Sequence, residues 1–218
     1  MKVILFGATG MIGQAALRES LLDPEVETVL AVVRTPTGER HDKLRELVHA
    51  DFSDLSPVRD QLTGLDACLF CLGVSSAGMS EADYRHVTYD ITLSAAQLLA
   101  AQNPGLTFVY VSGAGTDNTE RGRSMWARVK GETENGLLAL PFTAYMFRPG
   151  FIQPMHGAVS RTRWYRVLYA VTTPLYPVLR PLLPAYLTNS EQLARTMLRV
   201  AADGAPKRVL ETRDINRA

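Results

Sequence analysis

The chain has 218 residues, of which 46% are hydrophobic, so it is long enough to bury one sizeable core. Its 23 basic and 22 acidic side chains leave a formal net charge of +1, which argues against a nucleic-acid binder that relies on a strong positive field. The composition therefore predicts a globular protein whose partner is a small molecule.

The first ten residues, MKVILFGATG, contain an apolar run of only four residues before Gly7. Such a run is too short for the hydrophobic region of a secretory signal, and no cleavage site of small residues follows it. We therefore expect a cytoplasmic location.

Apolar runs alternate with helical patterns along the first 150 residues. The predicted strands cover 2–6, 28–33, 46–52, 67–72, 106–112 and 142–147, and the predicted helices cover 11–22, 56–62, 81–101 and 124–139. Near-continuous apolar strands that alternate with helices are typical of a parallel sheet covered on both faces. The sequence therefore predicts an α/β fold with a doubly wound parallel sheet of the Rossmann type.

The character of the chain changes after residue 150. Residues of about 151–187 are aromatic and aliphatic but interrupted by prolines, and their longest uncharged run is too short to cross a bilayer. We expect a small C-terminal lobe that contacts the substrate, within a single domain of residues 1–218. Peripheral membrane contact through this lobe is a weaker alternative.

A charge bias accompanies this lobe. No acidic residue lies between Glu134 and Glu191, whereas the interval contains Arg148, Arg161, Arg163, Arg166 and Arg180. The bias favours an anionic small-molecule substrate, although surface arginines need no ligand. Beyond the lobe, Thr188 and Glu191 predict a capping box that opens a further helix, and a last strand is predicted over 207–211.

Three glycines stand three residues apart in FGATGMIG, residues 6–13, between the first strand and the first helix. Gly7 permits a sharp exit from the strand, Gly10 lets an anion approach the backbone, and Gly13 lets the helix pack closely on the sheet. The first turn of a helix offers unpaired N–H groups to a phosphate. In a strand–loop–helix context this spacing predicts a dinucleotide site, whereas the glycines in isolation fit an ordinary tight turn equally well.

The second strand ends in VVRTP, where Arg34 replaces the carboxylate that usually binds a ribose 2′-hydroxyl. A guanidinium can grip a 2′-phosphate with two parallel hydrogen bonds, so NADP is preferred over NAD. An exposed arginine that merely opens a loop is the alternative. Asp51, in ADFSD, can accept a hydrogen bond from an adenine amino group or can simply stabilise its own turn.

Cys68 and Cys71 form a C-x-x-C pattern within an apolar strand. Residues three apart in a strand point to opposite faces, so the two thiols can neither form a disulfide nor share a metal. We interpret them as core residues, and we predict no metal site.

These residues resemble the short-chain dehydrogenase/reductase superfamily, and within it the atypical, NmrA-like branch. The resemblance covers residues 1 to about 152 and is carried, in order, by GATGMIG, VVRTP, HADFSDL, CLG at 71–73, YVSGAG at 110–115, VKGE at 129–132 and FRPGFI at 147–152.

The resemblance assigns cofactor contacts by position. It implies that the pyrophosphate is held by Gly7, Thr9, Gly10, Met11 and Ile12. Arg34 would hold the 2′-phosphate, Asp51 and Phe52 the adenine, and Leu72 and Gly73 the inner ribose. The nicotinamide would be flanked by Pro149, Gly150, Phe151 and Ile152.

The resemblance also assigns catalytic positions, and there the chain departs from the family. Ser112 matches the serine that orients a substrate carbonyl, and Lys130 matches the lysine of the Tyr-x-x-x-Lys motif, which also binds the nicotinamide ribose. Trp126 stands where the family has its tyrosine, and an indole cannot supply the proton that a phenol supplies. Trp126 is expected to act as an apolar wall, and His156 is a candidate replacement acid.

These residues leave three functions open. An NADPH-dependent oxidoreductase with a non-standard proton donor is preferred. A regulator that senses NADP(H) and binds a protein partner without turnover is the alternative favoured by Trp126. A nucleotide-sugar epimerase is weaker, because that chemistry also uses the missing tyrosine.

Overall fold

The structure is a computed structural model that describes residues 1–157, 176 and 183–217. Most of the predicted lobe, 151–187, therefore lies outside the described residues. The same is true of Arg161, Arg163, Arg166 and Arg180, on which the charge bias mainly depends.

The described strands are β1 (Lys2–Phe6), β2 (Thr28–Val33), β3 (Leu44–Val48), β4 (Ala67–Phe70), β5 (Thr107–Val111), β6 (Thr143–Arg148), β7 (Phe151–Gln153), β8 (Leu187–Asn189) and β9 (Val209–Glu211). The described α-helices are α1 (Met11–Leu22), α2 (Glu81–Arg85), α3 (Ile91–Gln102), α4 (Met125–Leu138), α5 (Ser190–Asp203) and α6 (Thr212–Arg217). A 3₁₀ turn covers Ser56–Gln61, and a π-helical segment, His86–Asp90, joins α2 to α3.

Seven strands form one parallel sheet in the order β3-β2-β1-β4-β5-β6-β9. The order reverses between β1 and β4, and in doubly wound sheets ligands bind at the carboxyl ends of the strands beside such a point. This arrangement confirms the predicted doubly wound α/β fold.

The core lies in two layers, one on each face of the sheet. On one face the strands pack against α1 and α5, through side chains such as Leu17 and Met197. On the other face they pack against α3 and α4, through Leu99 and Leu137. Burying a leucine of this kind contributes about 1.5–3 kcal/mol of stability. The two layers therefore hold the sheet in place, and with it the carboxyl ends of the strands, where the loops converge.

Several predicted boundaries need correction. The third strand is Leu44–Val48 rather than 46–52, because the chain turns at Asp51, whose side chain accepts from the Ser53 amide at 2.9 Å. The helix predicted over 81–101 is divided by the π-helical segment.

The predicted capping box at Thr188 and Glu191 is wrong. Thr188 lies buried in β8, and the cap of α5 is Asn189, whose side chain accepts from the Gln192 amide at 2.7 Å. Sequence patterns also missed the small β7–β8 sheet and helix α6.

Candidate functional site

The loop between β1 and α1 and the first turn of α1 are packed so tightly that Gly7 and Gly13 are required by the fold. Gly7 has φ of +83°, and a Cβ there would lie 2.7 Å from the backbone of Cys71 and Leu72. A Cβ on Gly13 would lie 1.9 Å from the Gly7 carbonyl oxygen. These contacts explain how the loop lies against the end of β4 and how α1 starts directly above β1.

Gly10, unlike Gly7 and Gly13, is not required by backbone conformation or by packing. Its φ and ψ are −82° and 164°, which any residue can adopt, and a Cβ there would meet only the Gly7 oxygen, at 3.4 Å. It caps α1 without a side-chain hydrogen bond, and the first helical bond runs from the Gln14 amide to the Gly10 carbonyl. The amides of Met11 and Ile12 therefore precede the helical ladder and suit an anion.

A cavity of about 620 Å³ opens over this loop at the carboxyl ends of the strands. Its lining includes the following predicted cofactor-binding residues: Gly7, Thr9, Gly10, Arg34, Phe52, Leu72 and Gly73. Sequence reasoning missed other residues of the wall: Ala8, Val32, Val33, Thr35, Cys71, Val74 and Ser75. The cavity combines backbone amides, an apolar wall and one cation, and this combination fits a dinucleotide.

Arg34 follows β2 directly and is exposed at the edge of this cavity. Within the described part of the chain, its guanidinium forms no hydrogen bond or ion pair. A guanidinium in this position remains available to an anionic ligand.

Asp51 is exposed and does not line the cavity, although its neighbour Phe52 does. Its Oδ1 accepts from the Ser53 hydroxyl at 2.5 Å and from the Ser53 amide at 2.9 Å, and these hydrogen bonds lower the pKa of the carboxyl. The turn-stabilising role that the sequence left open is therefore present in the structure.

Residues 149–152 connect β6 to the small sheet. The Pro149 carbonyl accepts from the Ala114 amide at 2.9 Å, and the Gly150 amide donates to Thr212 Oγ1 at 2.8 Å. Phe151 and Ile152 are part of β7, and Ile152 is buried against the α5 layer. None of the four is among the residues that line the 620 Å³ cavity.

Ser112 is joined to a buried charge pair. Its Oγ lies 2.5 Å from Glu134 Oε1 and 3.1 Å from the Phe147 carbonyl oxygen, so acceptors take its single proton. Glu134 is fully buried, and it also accepts from Arg148 Nη2 at 2.5 Å and from Asn118 Nδ2 at 2.9 Å. The hydrogen bond to Glu134 raises the pKa of Arg148, and burial of the guanidinium acts in the opposite direction without cancelling this effect.

Lys130 lies four residues after Trp126 on α4, one turn further along the helix. Its ammonium donates to the Val111 carbonyl at 3.4 Å and lies 5.4 Å from the centre of the Tyr110 ring. Burial lowers the pKa of Lys130 to about 8, partly offset by the nearby Glu134 carboxylate. Trp126 is half-buried, and its ring lies 3.5 Å from the position that a Cβ on Gly115 would occupy.

His156 lies between α1 and α5. Its Nε2 is hydrogen-bonded to Glu191 Oε2 at 2.5 Å, which lowers the pKa of Glu191. Glu19, His156 and Glu191 place three potential metal ligands within 4.8 Å of one another. Arg195 already bridges both carboxylates, at 2.8 Å each, and Arg18 also contacts Glu19, so two cations balance the two carboxylates without a metal.

The two cysteines are free thiols, Cys68 in β4 and Cys71 just after it. Burial raises the pKa of Cys71 to about 12 and that of Cys68 well above its usual value. Neither thiol forms the thiolate that redox chemistry requires near neutral pH.

A family model described as NAD(P)H-binding matches residues 7–138, more than half of the chain. The chain belongs to this NAD(P)H-binding family. The match runs from the loop that follows β1 to the end of α4, and therefore includes the glycine loop, the residues that line the cavity and Lys130.

Two curated fungal relatives are similar over longer stretches. Protein fmp52, mitochondrial, of Emericella nidulans is 31% identical over 159 residues, which are 69% of this chain and 66% of the relative. Protein FMP52, mitochondrial, of Meyerozyma guilliermondii is 25% identical over 211 residues, 93% of this chain and 86% of the relative. Both names contradict the predicted cytoplasmic location, which was wrong because a missing secretory signal does not distinguish the cytosol from the mitochondrion.

Two solved structures share the fold. The yeast short-chain dehydrogenase/reductase YIR035C, from Saccharomyces cerevisiae, has a TM-score of 0.67 at 15% identity and covers 98% of this chain and 96% of that one. MoeE5 in complex with UDP-glucose and NAD has a TM-score of 0.67 at 15% identity, covering 99% and 79%. The resemblance to short-chain dehydrogenases/reductases is thus confirmed for the fold, and membership of the NAD(P)H-binding family agrees with the predicted class of cofactor.

Among the described residues, no helix combines the length and the apolar character that crossing a bilayer requires.

Proposed function

We propose that this protein binds NADP(H) in preference to NAD(H) and uses it in an oxidoreductase reaction on a small, anionic substrate. The observation that carries the preference is Arg34, an exposed guanidinium at the edge of the cavity, without a partner among the described residues. A 2′-phosphate is the part of NADP that NAD lacks, and a guanidinium is its best side-chain partner.

In this proposal the residues around the cavity hold the cofactor by its anionic groups. The amides of Met11 and Ile12 bind the pyrophosphate, and Phe52 lies against the adenosine half. When bound, NADPH supplies the hydride. Residues of about 151–187 supply the substrate lobe, and its arginines favour an anionic substrate.

The proton donor in this proposal is Lys130. Trp126 cannot ionise, the Ser112 proton is taken by acceptors, and His156 is paired with Glu191. With a pKa of about 8, the ammonium of Lys130 is protonated at neutral pH but gives up its proton more easily than an ordinary lysine.

The NADP preference is tested by calorimetric titration of NADPH and NADH into the wild type, Arg34→Ala and Arg40→Ala. Arg40 is an exposed arginine of the same loop that does not line the cavity, so it controls for net charge. We expect Arg34→Ala to weaken the binding of NADPH by roughly 10- to 100-fold and the binding of NADH by less than about twofold. Equal losses for both cofactors, or the same loss in Arg40→Ala, would contradict the proposal.

A second candidate function is a regulator that senses NADP(H) without turnover. The observation that favours it is the Ser112 hydroxyl, which donates to acceptors within the protein instead of standing free for a carbonyl. Purified protein would be incubated with NADPH and a panel of aldehydes, ketones and quinones. Tight NADPH binding without oxidation across the panel supports the regulator, and oxidation that is lost in Lys130→Met supports the enzyme.

A further inference from the structure

We propose that Glu46 positions Arg34 and thereby sets the preference for NADP(H) over NAD(H). The inference rests on the proposed function, since it concerns the same 2′-phosphate site. Its basis is a pair of hydrogen bonds outside the cavity. Glu46 Oε1 accepts from the Thr37 amide at 2.8 Å and from the Thr37 hydroxyl at 2.5 Å.

Glu46 is a rigid anchor because it belongs to the sheet. It lies in β3 opposite Ala31 of β2, and Ala31 precedes Arg34 by three residues. Side chains alternate along a strand, so Glu46 points to the same face as Leu44, which packs in the α1 layer. The Glu46 carboxylate therefore reaches Thr37, in the loop between β2 and β3, from the face of the sheet that α1 covers.

The segment that carries Arg34 is fixed at both of its ends. On one side, the Val33 carbonyl accepts from the His49 amide at 2.9 Å, which extends the β2–β3 ladder. On the other side, Thr37 is held by Glu46, and its Oγ1 in turn lies 3.1 Å from the Glu39 amide. Pro36 restricts the backbone between them. Arg34 therefore starts from a fixed Cα, so less conformational freedom is lost when its guanidinium binds a phosphate.

The negative charge of Glu46 by itself would weaken NADPH binding, whereas we propose that Glu46 strengthens it. A carboxylate near a 2′-phosphate would by itself oppose binding. A favourable contribution must therefore come from the hydrogen bonds to Thr37, and a glutamine, which keeps an acceptor oxygen, can provide them. This difference separates positioning from electrostatics in one experiment.

The test is calorimetric titration of NADPH and NADH into Glu46→Ala, Glu46→Gln and Arg45→Ala, and into Arg34→Ala with and without Glu46→Ala. We expect Glu46→Ala to weaken NADPH binding about fivefold to tenfold and to leave NADH binding unchanged. Unchanged NADH binding also shows that the variant is folded. Glu46→Gln should bind NADPH with wild-type affinity. Arg45→Ala, an exposed neighbour on the same strand, should change neither affinity. In the Arg34→Ala background, Glu46→Ala should have no further effect.

Three results would overturn the role of Glu46: equal losses for both cofactors, a gain in NADPH affinity in Glu46→Ala, or a further loss in the Arg34→Ala background. Failure of the proposed function looks different. In that case the wild type shows no preference between the cofactors and Arg34→Ala alone changes nothing.

Discussion

Lys130 combines two unfavourable features for an ordinary structural lysine. Its side chain is half-buried, and the only hydrogen bond that its ammonium makes among the described residues is a long one, 3.4 Å, to the Val111 carbonyl. Burial accordingly lowers its pKa to about 8. A lysine held at this cost to stability is typical of a site that needs an ammonium of reduced pKa.

Lys130→Met is expected to stabilise the free protein by on the order of 3 kcal/mol at pH 7, since the pKa falls from 10.5 to about 8 and one pKa unit corresponds to 1.36 kcal/mol. The folded-state pKa lies below the unfolded value, so the unfolded chain binds more protons between pH 8 and about 10.5. Wild-type stability should therefore rise with pH through this window, and the advantage of the variant should disappear. Urea unfolding at pH 7, 9 and 10.5 measures the difference, and a difference that does not change with pH contradicts this account.

Single residues were predicted well where the backbone determines their role. Gly13 is explained by its contact with the Gly7 carbonyl within one strand–loop–helix unit, and Gly7 by its positive φ in that turn, both of which the sequence spacing encodes; the contact of Gly7 with Cys71 and Leu72 depends on the neighbouring strand β4. The partners of Ser112 and His156 could not be predicted, because Glu134 and Glu191 are 22 and 35 residues away along the chain. Such pairs depend on where the fold places the segment after a strand relative to a helix.

At the scale of elements, a buried ion pair connects α4 to the end of β6. Glu134 is fully buried and Arg148 has 13% of its side chain exposed. Ser112 and Asn118 complete the hydrogen bonding of the carboxylate, and Glu211 of β9 approaches Arg148 at 3.4 Å. The network therefore fixes the carboxyl ends of β5 and β6 relative to the helix that carries Lys130.

Removing one member of this pair leaves the other charge uncompensated. We expect Arg148→Met and Glu134→Gln each to lower the free energy of unfolding by about 3 kcal/mol or more, as for other buried pairs. The double variant should lose clearly less than the sum, because neither charge is then left without its partner. Additive losses in denaturant unfolding would show that the two side chains do not stabilise each other.

The elements themselves were predictable where one hydrophobic period continues without interruption. Helix α1 and strand β2 have the predicted boundaries. The π-helical segment at His86–Asp90 was not predictable, because its extra residue per turn leaves the apolar pattern of α2 and α3 nearly intact. The β7–β8 sheet escaped because three-residue strands are too short to show a period.

At the scale of the whole molecule, the alternation of strands and helices predicted the parallel sheet but not every consequence of it. The reversal of strand order at β1 and β4 places the glycine loop, Arg34 and residues 71–75 around one cavity. The location of the protein in the cell could not be derived from fold or composition. The fungal relatives corrected that prediction.

In the proposed function, a dinucleotide rests its pyrophosphate on the amides of Met11 and Ile12 at the start of α1. Gly10 tests this directly, because its backbone accepts a side chain and its Cβ position meets only the Gly7 oxygen, at 3.4 Å. Gly10→Asp should preserve or stabilise α1 by capping it, while its carboxylate stands where the phosphates bind. Gly10→Asn is the matched control, since it caps equally well and adds no charge.

The decisive measurement is calorimetric titration of NADPH into these two variants and the wild type, with thermal unfolding of each free protein. We predict unchanged or raised melting temperatures for both variants, a loss of roughly a hundredfold or more in affinity for Gly10→Asp, and a clearly smaller loss for Gly10→Asn. If a folded Gly10→Asp variant binds NADPH as tightly as the wild type, the pyrophosphate does not lie at this helix and the account is wrong.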